Sequence, residues 1–163
     1  MVNIPTELRF AQKGLVLNKA MDSLLLIRYG SAKFKSSVVG KYALPGGKVD
    51  PNEDLEIACV REIQEETGVC VIPGYPVYSY SFLVHKPAGI TRIILTARLC
   101  MYKNGKLLAN KKEAESVIDT IAWIKLKDIS LKDVVSNEVP PIRFVLENEK
   151  LVKSIMKIPY VAA

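Results

Sequence analysis

The segment GGKVDPNEDLEIACVREIQEETGV, residues 46–69, decides the predicted fold. Asp54 is an N-cap-type residue, and the residues that follow it up to Thr67 are good helix formers without an internal glycine or proline. Gly68 stands where a left-handed residue commonly ends a helix. These signals predict a helix from Asp54 to Thr67, and the Pro45-Gly46-Gly47 sequence before it predicts a tight turn.

Three glutamates of this helix lie on its apolar side, where a solvated charged face would not place them. On a helical wheel that advances about 100° per residue, Glu65 and Glu66 fall within about 60° of Glu62. The apolar residues on the same stripe, which we expect to face the core, are Leu55, Ala58, Cys59 and Ile63. Carboxylates three or four residues apart repel one another, so the cluster needs a counter-charge.

A divalent cation supplies this charge better than a basic side chain does. Arg61 is the nearby basic residue in sequence, and it lies only at the edge of the cluster on the wheel. Ligands that are all oxygen atoms suit a hard ion, and Mg²⁺ is usually held by a few carboxylates together with the phosphates of a substrate. The residues alone therefore predict a magnesium site that receives a phosphate-bearing ligand.

Residues 47–69 resemble the Nudix box, whose fixed positions they all match. The matching residues are Gly47, Glu53, Arg61, Glu62, Ile63, Glu65, Glu66, Gly68 and Val69. The resemblance implies an α/β fold in which a mixed β-sheet is sandwiched between helices. It also implies a Mg²⁺-dependent pyrophosphohydrolase, with Mn²⁺ as an alternative metal, that cleaves the phosphoanhydride bond of a nucleoside di- or triphosphate or of a nucleoside-diphosphate derivative such as ADP-ribose.

The resemblance further assigns roles to single residues. It implies that Glu65 and Glu66 bind the metal, joined by Glu62 and by the backbone carbonyl of Gly46. The residues that it implies for catalysis are Glu53, Arg61, Glu62 and Glu65, of which Arg61 and Glu53 form a pair that orients the others.

The residue that takes the proton from the attacking water varies within this family. It is either a glutamate of the box or one from a downstream loop. Glu113 and Glu115 resemble the downstream glutamate in position and are further candidate metal ligands. The alternative for both is an exposed loop position without a catalytic role.

Outside the box, the pattern of apolar and β-branched residues predicts strands with a helix in the middle and another at the end. The predicted strands are Leu8–Leu17, Ser23–Arg28, Lys41–Leu44, Val77–His85, Ile90–Tyr102 and Val117–Ile124, and the predicted second helix is Pro140–Lys157. No internal repeat or linker divides the sequence, so we expect residues 1–163 to form a single domain of the α/β class.

Composition and charge narrow the functional classes. Three cysteines without metal-ligand spacing, an N-terminus without an apolar core and the absence of a long apolar run predict a cytoplasmic protein that does not enter a membrane. The net charge of +6 and a pI of about 9.2 favour polyanionic partners. We expect a small-molecule nucleotide as substrate and regard nucleic acid as the less favoured partner, because the densest basic cluster is only the pair Lys111-Lys112.

Several alternatives stay open at this level. The protein could process RNA ends, sense a nucleotide without cleaving it, or form a homodimer. Tyr78, Tyr80 and Phe82 alternate along one strand and either stack a nucleobase or pack in the core. Arg28 and Arg92 either bind phosphates or form structural ion pairs. For two further residues we expect no catalytic role, with His85 at a strand end and Trp123 in the core.

Overall fold

The computed structural model describes residues 7–30, 37–108 and 118–160, which contain six strands and three α-helices. The strands are β1 (Glu7–Leu17), β2 (Ser23–Tyr29), β3 (Tyr42–Ala43), β4 (Val69–Lys86), β5 (Gly89–Gly105) and β6 (Ile118–Lys125). The helices are α1 (Leu55–Thr67), α2 (Val139–Glu147) and α3 (Glu149–Ile155). Three short 3-10 turns lie between β6 and α2.

The strands form one mixed sheet in the order β3-β2-β1-β5-β4, with β6 also paired to β2. The central pair, β1 and β5, is parallel, and the other strand pairs are antiparallel. One face of the sheet packs against α1 through Cys59 and Ile63. The opposite face packs against α2 and α3 through Ile142, Val145 and Val152. The predicted α/β class, with a mixed sheet sandwiched between helices, is confirmed.

β1 and β2 pair through Leu17 and Leu24, beside their connecting turn. Nearer the N-terminus of β1, the Pro45-Gly46-Gly47 turn, here called the glycine turn, hydrogen-bonds to the edge of β1 that faces β2. Gln12 N donates to Gly47 O at 2.9 Å and Gly14 N donates to Pro45 O at 2.9 Å. Buried backbone groups need such partners, so the turn is held against the middle of the sheet.

The helix predicted over Pro140–Lys157 is two helices, and the prediction of one is wrong. Asn148 separates α2 from α3 and has a non-helical backbone, with φ −125° and ψ 34°. Its side-chain amide donates to Phe144 O at 2.9 Å, and this local bond competes with continuation of the helix. The apolar periodicity continues through the break because both helices cover the same face of the sheet.

Two further expectations need correction. Leu55 was expected to face the core, but 43% of it is exposed because it occupies the first turn of α1, beyond the edge of the sheet contact. β4 begins at Val69, directly after the helix, and not at Val77. The proline-containing stretch between Pro73 and Pro76 shifts the register of its pairing with β5, and prolines there are the reason why the sequence did not indicate a strand.

Trp123 packs edge to face against Tyr102, with ring centroids 5.6 Å apart, beside the cluster under α1. His85 is exposed near the end of β4. Within the described ranges, none of the helices has the length and apolar character required to cross a bilayer.

Candidate functional site

The site begins with the last two turns of α1, which present the three glutamates at different depths. Ile63 and Ala58 are fully buried and fix the rotation of the helix on the sheet. The Glu62 side chain is 19% exposed, whereas that of Glu65 is 60% exposed. The expected placement of all three glutamates on the apolar side is therefore wrong for Glu65, which lies at the solvent edge of the stripe.

Arg61 joins several carboxylates of this region. Its guanidinium donates to Glu53 through two nitrogens, at 2.8 and 2.7 Å, and to Glu62 at 3.0 Å. It also reaches Glu65 at 3.3 Å and the carbonyl of Lys48 at 3.2 Å. Hydrogen bonds from Arg61 hold the pKa of Glu53 below its ordinary value. The guanidinium thus fixes the orientation of the carboxylates, because its planar fork matches their geometry.

The Gly46-Gly47 turn lies against the two inward-facing glutamates. Gly46 N donates to Glu66 at 2.7 Å, and a Cβ atom on Gly47 would collide with the Glu62 carboxylate. Gly46 has a φ of 122°, and a Cβ there would collide with the carbonyl of Gln12. Gly46 therefore requires glycine, because its φ is positive and the backbone of β1 is close, whereas a side chain at Gly47 would have to displace the Glu62 carboxylate.

Two buried charged residues lie on the other side of this turn. Lys13 Nζ donates to Gly46 O at 2.6 Å and to Leu44 O at 3.0 Å. The Glu138 carboxylate lies 3.7 Å from the ammonium and accepts a short hydrogen bond from Leu44 N. Both side chains are at least nine-tenths buried. Lys13 and Glu138 thus connect the turn with the 3-10 segment that precedes α2.

Sequence reasoning missed this pair. Lys13 is a single cationic residue in the apolar strand that reads FAQKGLVL, where the alternation of β1 puts it on the inward face with Leu15 and Leu17. The sequence signal for this pair is a lysine at a strand position that faces the core. Its partner Glu138 lies 125 residues away, beside two prolines, and no local pattern indicates the pairing.

Burial and charge shift the ionisation of these groups. Burial raises the pKa of Glu66, while the charge of Lys13 and the hydrogen bond from Gly46 N oppose that shift. Burial likewise raises the pKa of Glu138. Burial disfavours the charged form of Lys13, but the negative charges around it, Glu138 first, raise its pKa overall. A carboxylate with a raised pKa beside other carboxylates gains from a bound cation.

A cavity of about 710 Å³ opens next to the turn, on the face of the sheet that carries α2. Lys13, Glu138 and Gly46 line it together with apolar residues of the sheet, among them Phe82 and Leu95. Its volume is within the usual range for small-molecule sites, and its lining is largely apolar with a few polar groups, as is common in such sites. Cationic side chains also contribute to its lining, from Arg9, Lys48 and Lys86.

Two buried polar atoms in the described part of the chain have no hydrogen-bond partner. They are the hydroxyl of Tyr80 and the side-chain oxygen of Asn137, and Asn137 lines the cavity. Tyr80 lies near both Glu138 and Lys13, since burial first and then the charge of Glu138 raise its pKa. Unpartnered buried polar groups carry a desolvation cost that a bound ligand can offset.

Two roles were considered for the aromatic residues Tyr78, Tyr80 and Phe82, packing in the core and stacking on a nucleobase, and Tyr78 and Phe82 differ in this respect. Tyr78 packs against the cluster under α2, so its role is in the core. Phe82 lines the cavity, where a ring can contact a flat ligand. Arg28 forms an ion pair with Asp119 at 3.0 Å, and Arg92 donates to Ser81 at 3.1 Å. Neither arginine lines the cavity.

The carboxylates fit a divalent metal by chemistry, although they do not converge as a preformed cluster. Within residues 7–30, 37–108 and 118–160, no three His, Cys, Asp or Glu side chains are arranged as a metal site. Glu62 and Glu66 nevertheless contact the same glycine turn from α1, and all their donor atoms are oxygens. Such a set suits Mg²⁺, which completes its shell with waters and substrate phosphates. The candidates Glu113 and Glu115 lie outside the described residues.

A family model described as the NUDIX domain matches residues 9–144, which include most of β1, all of β2 to β6, the glycine turn and most of α2. The chain belongs to the Nudix family. The Nudix box of residues 47–69 thus covers part of the glycine turn and the helix α1. Glu62, Glu65 and Glu66 lie on α1, and Arg61 lies between these glutamates and Glu53.

Among known proteins, a putative 8-oxo-dGTP diphosphatase from Bacillus subtilis (strain 168) is 46% identical over 54 residues. The match covers 33% of this chain and 31% of the relative, so the chain spans about a third of the relative's length. The likeness is therefore restricted to part of each protein.

Solved structures match over most of the chain. A MutT protein from Bacillus halodurans has a TM-score of 0.67 at 20% identity and covers 86% of this chain and 83% of its own. An ADP-ribose pyrophosphatase from Streptococcus suis 89-1591 has a TM-score of 0.59 at 18% identity, with 87% and 92% covered. At these identities the likeness establishes the Nudix fold and nothing finer.

Proposed function

We propose that the protein is a pyrophosphohydrolase that cleaves the phosphoanhydride bond of a nucleoside di- or triphosphate, or of a nucleoside-diphosphate derivative, with the help of Mg²⁺. One observation carries this proposal. The Gly46-Gly47 turn has the box carboxylates Glu62 and Glu66 on one side and the cavity of about 710 Å³ on the other. A substrate with its diphosphate at the turn can place its nucleoside in the cavity.

The residues have separate tasks in this proposal. Glu62, Glu65, Glu66 and the Gly46 carbonyl would hold the metal, which when bound withdraws charge from the diphosphate and activates water. Arg61 orients Glu62 and Glu65, and Glu53 in turn orients Arg61. A box glutamate, or one of Glu113 and Glu115, takes the proton of the attacking water. Phe82 offers a ring surface to the nucleoside.

Two substrate groups are the first to be tested. A relative of this chain is described as an 8-oxo-dGTP diphosphatase, and a protein with the same fold is described as an ADP-ribose pyrophosphatase. The unpartnered side-chain oxygen of Asn137, a residue of the cavity wall, favours a ligand with hydrogen-bond donors, which nucleobases have. We therefore expect nucleoside triphosphates, including oxidised ones, and ADP-ribose among the best substrates.

The test is incubation of the protein with Mg²⁺ and a panel of nucleotides, nucleotide sugars, dinucleotides and capped RNA, with products identified by mass. Cleavage between phosphorus atoms of a free nucleotide or nucleotide derivative is the expected result. Preferred turnover of capped RNA would replace the small-molecule substrate by an RNA end. Nucleotide binding without turnover of any panel member would instead indicate a sensor and contradict the proposal.

A further inference from the structure

The buried ammonium of Lys13 has no task in the proposed function. Its side chain is 9% exposed, and its ammonium forms an ion pair with Glu138, whose nearest oxygen lies 3.7 Å away. It also donates to backbone carbonyls of the chain that leads into the box, Leu44 O at 3.0 Å and Gly46 O at 2.6 Å. A lysine in the core is costly, so these contacts require an explanation beyond packing.

Gly46 is held from both ends. Its N–H donates to Glu66 on α1 at 2.7 Å, and its carbonyl accepts from Lys13 on β1 at 2.6 Å. Glycine at a φ of 122° has no side chain that would fix its conformation. The two hydrogen bonds therefore determine where the Gly46 carbonyl points.

Glu138 supports this arrangement from the 3-10 segment before α2. One of its oxygens accepts the N–H of Leu44, and its charge stabilises the ammonium of Lys13. Leu44 thus has both backbone groups engaged, its N–H by Glu138 and its carbonyl by Lys13. A continuous hydrogen-bonded path leads from the 3-10 segment before α2, through Lys13, to Gly46 and Glu66.

We propose that Lys13 is a positioning residue that holds the Gly46 carbonyl in the orientation from which it joins Glu66 in binding a divalent cation. This role rests on the proposed function, because it assumes that a cation binds at the turn. Lys13 acts through Gly46 and does not touch the substrate's reacting atoms. Residues that orient metal ligands commonly contribute about 10- to 100-fold to metal affinity.

The test separates positioning from stability by comparing three variants. Lys13→Met removes the hold on Gly46 but also leaves Glu138 buried without a counter-charge, which destabilises the fold. Lys13→Met combined with Glu138→Gln removes that stranded charge, and the glutamine oxygen can still accept from Leu44 N. Glu138→Gln alone is the matched control: it also leaves a buried charge without its partner, that of Lys13, and so should lower the melting temperature, but it keeps Lys13 on the two carbonyls. The readouts are the melting temperature and the midpoint of a Mn²⁺ titration followed by electron spin resonance.

We expect the double variant to regain most of the melting temperature that Lys13→Met loses, while its Mn²⁺ midpoint stays at least about tenfold above that of the wild type. Glu138→Gln alone should keep a midpoint within about twofold of the wild type, because its Lys13 still holds Gly46. A double variant with an unchanged or lower Mn²⁺ midpoint would overturn the positioning role and leave the proposed function intact. A wild-type protein that does not bind Mn²⁺ would refute the cation site itself, and the role of Lys13 with it.

Discussion

At the level of single residues, Arg61 connects the carboxylates of the box to one another. Arg61 contacts Glu53, Glu62 and Glu65 at 3.3 Å or less, and the side chain of Glu53 is only 13% exposed. Sequence reasoning predicted these partners because the family motif names them. It could not predict that Lys13 stands on the opposite side of Gly46, since a lone lysine in a strand gives no indication of a partner far along the chain.

Substitution of Glu65 by glutamine tests the carboxylates directly. The change keeps the size of the side chain and removes its charge, so we expect turnover to fall at least about a hundredfold with an unchanged fold. Glu65 is largely exposed, and its loss should lower the melting temperature little. Steady-state kinetics and thermal denaturation measure the two effects. Glu147→Gln, an exposed change on α2, is the matched control, and near-normal turnover in Glu65→Gln would remove Glu65 from the site.

Replacement of Arg61 by lysine keeps the charge but removes the planar fork. A lysine ammonium cannot donate two parallel hydrogen bonds to Glu53 and also reach Glu62, so the carboxylates should lose their fixed orientation. We expect kcat/KM to fall by roughly 10- to 100-fold, which is common when the partner of a metal ligand is lost. Activity within about twofold of the wild type would mean that charge alone is sufficient at this position.

At the scale of elements, the first turn of α1 is fixed to the sheet and to the C-terminal segment by one network. Arg98 on β5 donates to Glu56 at 2.7 Å, and the hydroxyl of Tyr160 donates to the same oxygen at 2.7 Å. The Arg98 side chain is 3% exposed, so these contacts are largely shielded from water. The network therefore sets the position of the helix that carries the box glutamates.

Glu56→Gln should weaken this network in a pH-dependent way. The hydrogen bond from Tyr160, together with Arg98, lowers the pKa of Glu56 below 4.5. A carboxyl with a lowered pKa in the folded state stabilises the fold above its unfolded pKa and loses that contribution as the pH falls. At neutral pH the variant should lose about 1.5–3 kcal/mol of unfolding free energy.

Urea denaturation across the pH range measures this effect. The difference between wild type and Glu56→Gln should shrink as the pH falls from about 4.5 through the lower pKa of the folded-state carboxyl, because the unfolded state binds its proton first and the folded state follows. Glu149→Gln, which removes an exposed pair with Lys153, serves as the control and should show a small effect at every pH. A pH-independent difference for Glu56→Gln would show that its charge contributes nothing.

Most elements could be predicted because each has a local signal, but their arrangement could not. An apolar, β-rich run indicated β1, β-branched and aromatic residues indicated β5, and helix formers with Gly68 indicated α1. The parallel pairing of β1 with β5 joins residues more than 80 positions apart. The break at Asn148 was missed because apolar periodicity reports which face is buried and not whether the backbone is continuous.

At the scale of the whole molecule, the cavity and the box share one wall, the Gly46-Gly47 turn. β1 and α1 contact this turn directly, and the 3-10 segment before α2 contacts Leu44, which precedes the turn, so the shape of the turn depends on several elements of the fold. We propose on this ground that the chain folds as a single domain. Scanning calorimetry should then show one cooperative unfolding transition, and two separable transitions would argue for independent units.

The cavity itself could not be predicted from the sequence. Its lining comes from β1, β4, β5, the end of β2 and the segment before α2, which are distant along the chain. The net charge of +6 indicated a polyanionic ligand but not where it binds. The structure contributes the position of Arg9, Lys48 and Lys86 along the cavity, where they can attract a phosphate chain.

In the proposed function, water cleaves a phosphoanhydride bond at the box with the help of a divalent cation. Its most direct test is turnover of 8-oxo-dGTP, dGTP and ADP-ribose in ¹⁸O-labelled water, with and without a chelator, followed by mass spectrometry of the products. We predict that one ¹⁸O atom enters a product phosphate of at least one substrate, that the chelator abolishes formation of this labelled product, and that Glu65→Gln slows its formation at least about a hundredfold. Absence of labelled product from all three nucleotides with Mg²⁺ present, or incorporation that persists in the chelator, would contradict metal-dependent hydrolysis at the box.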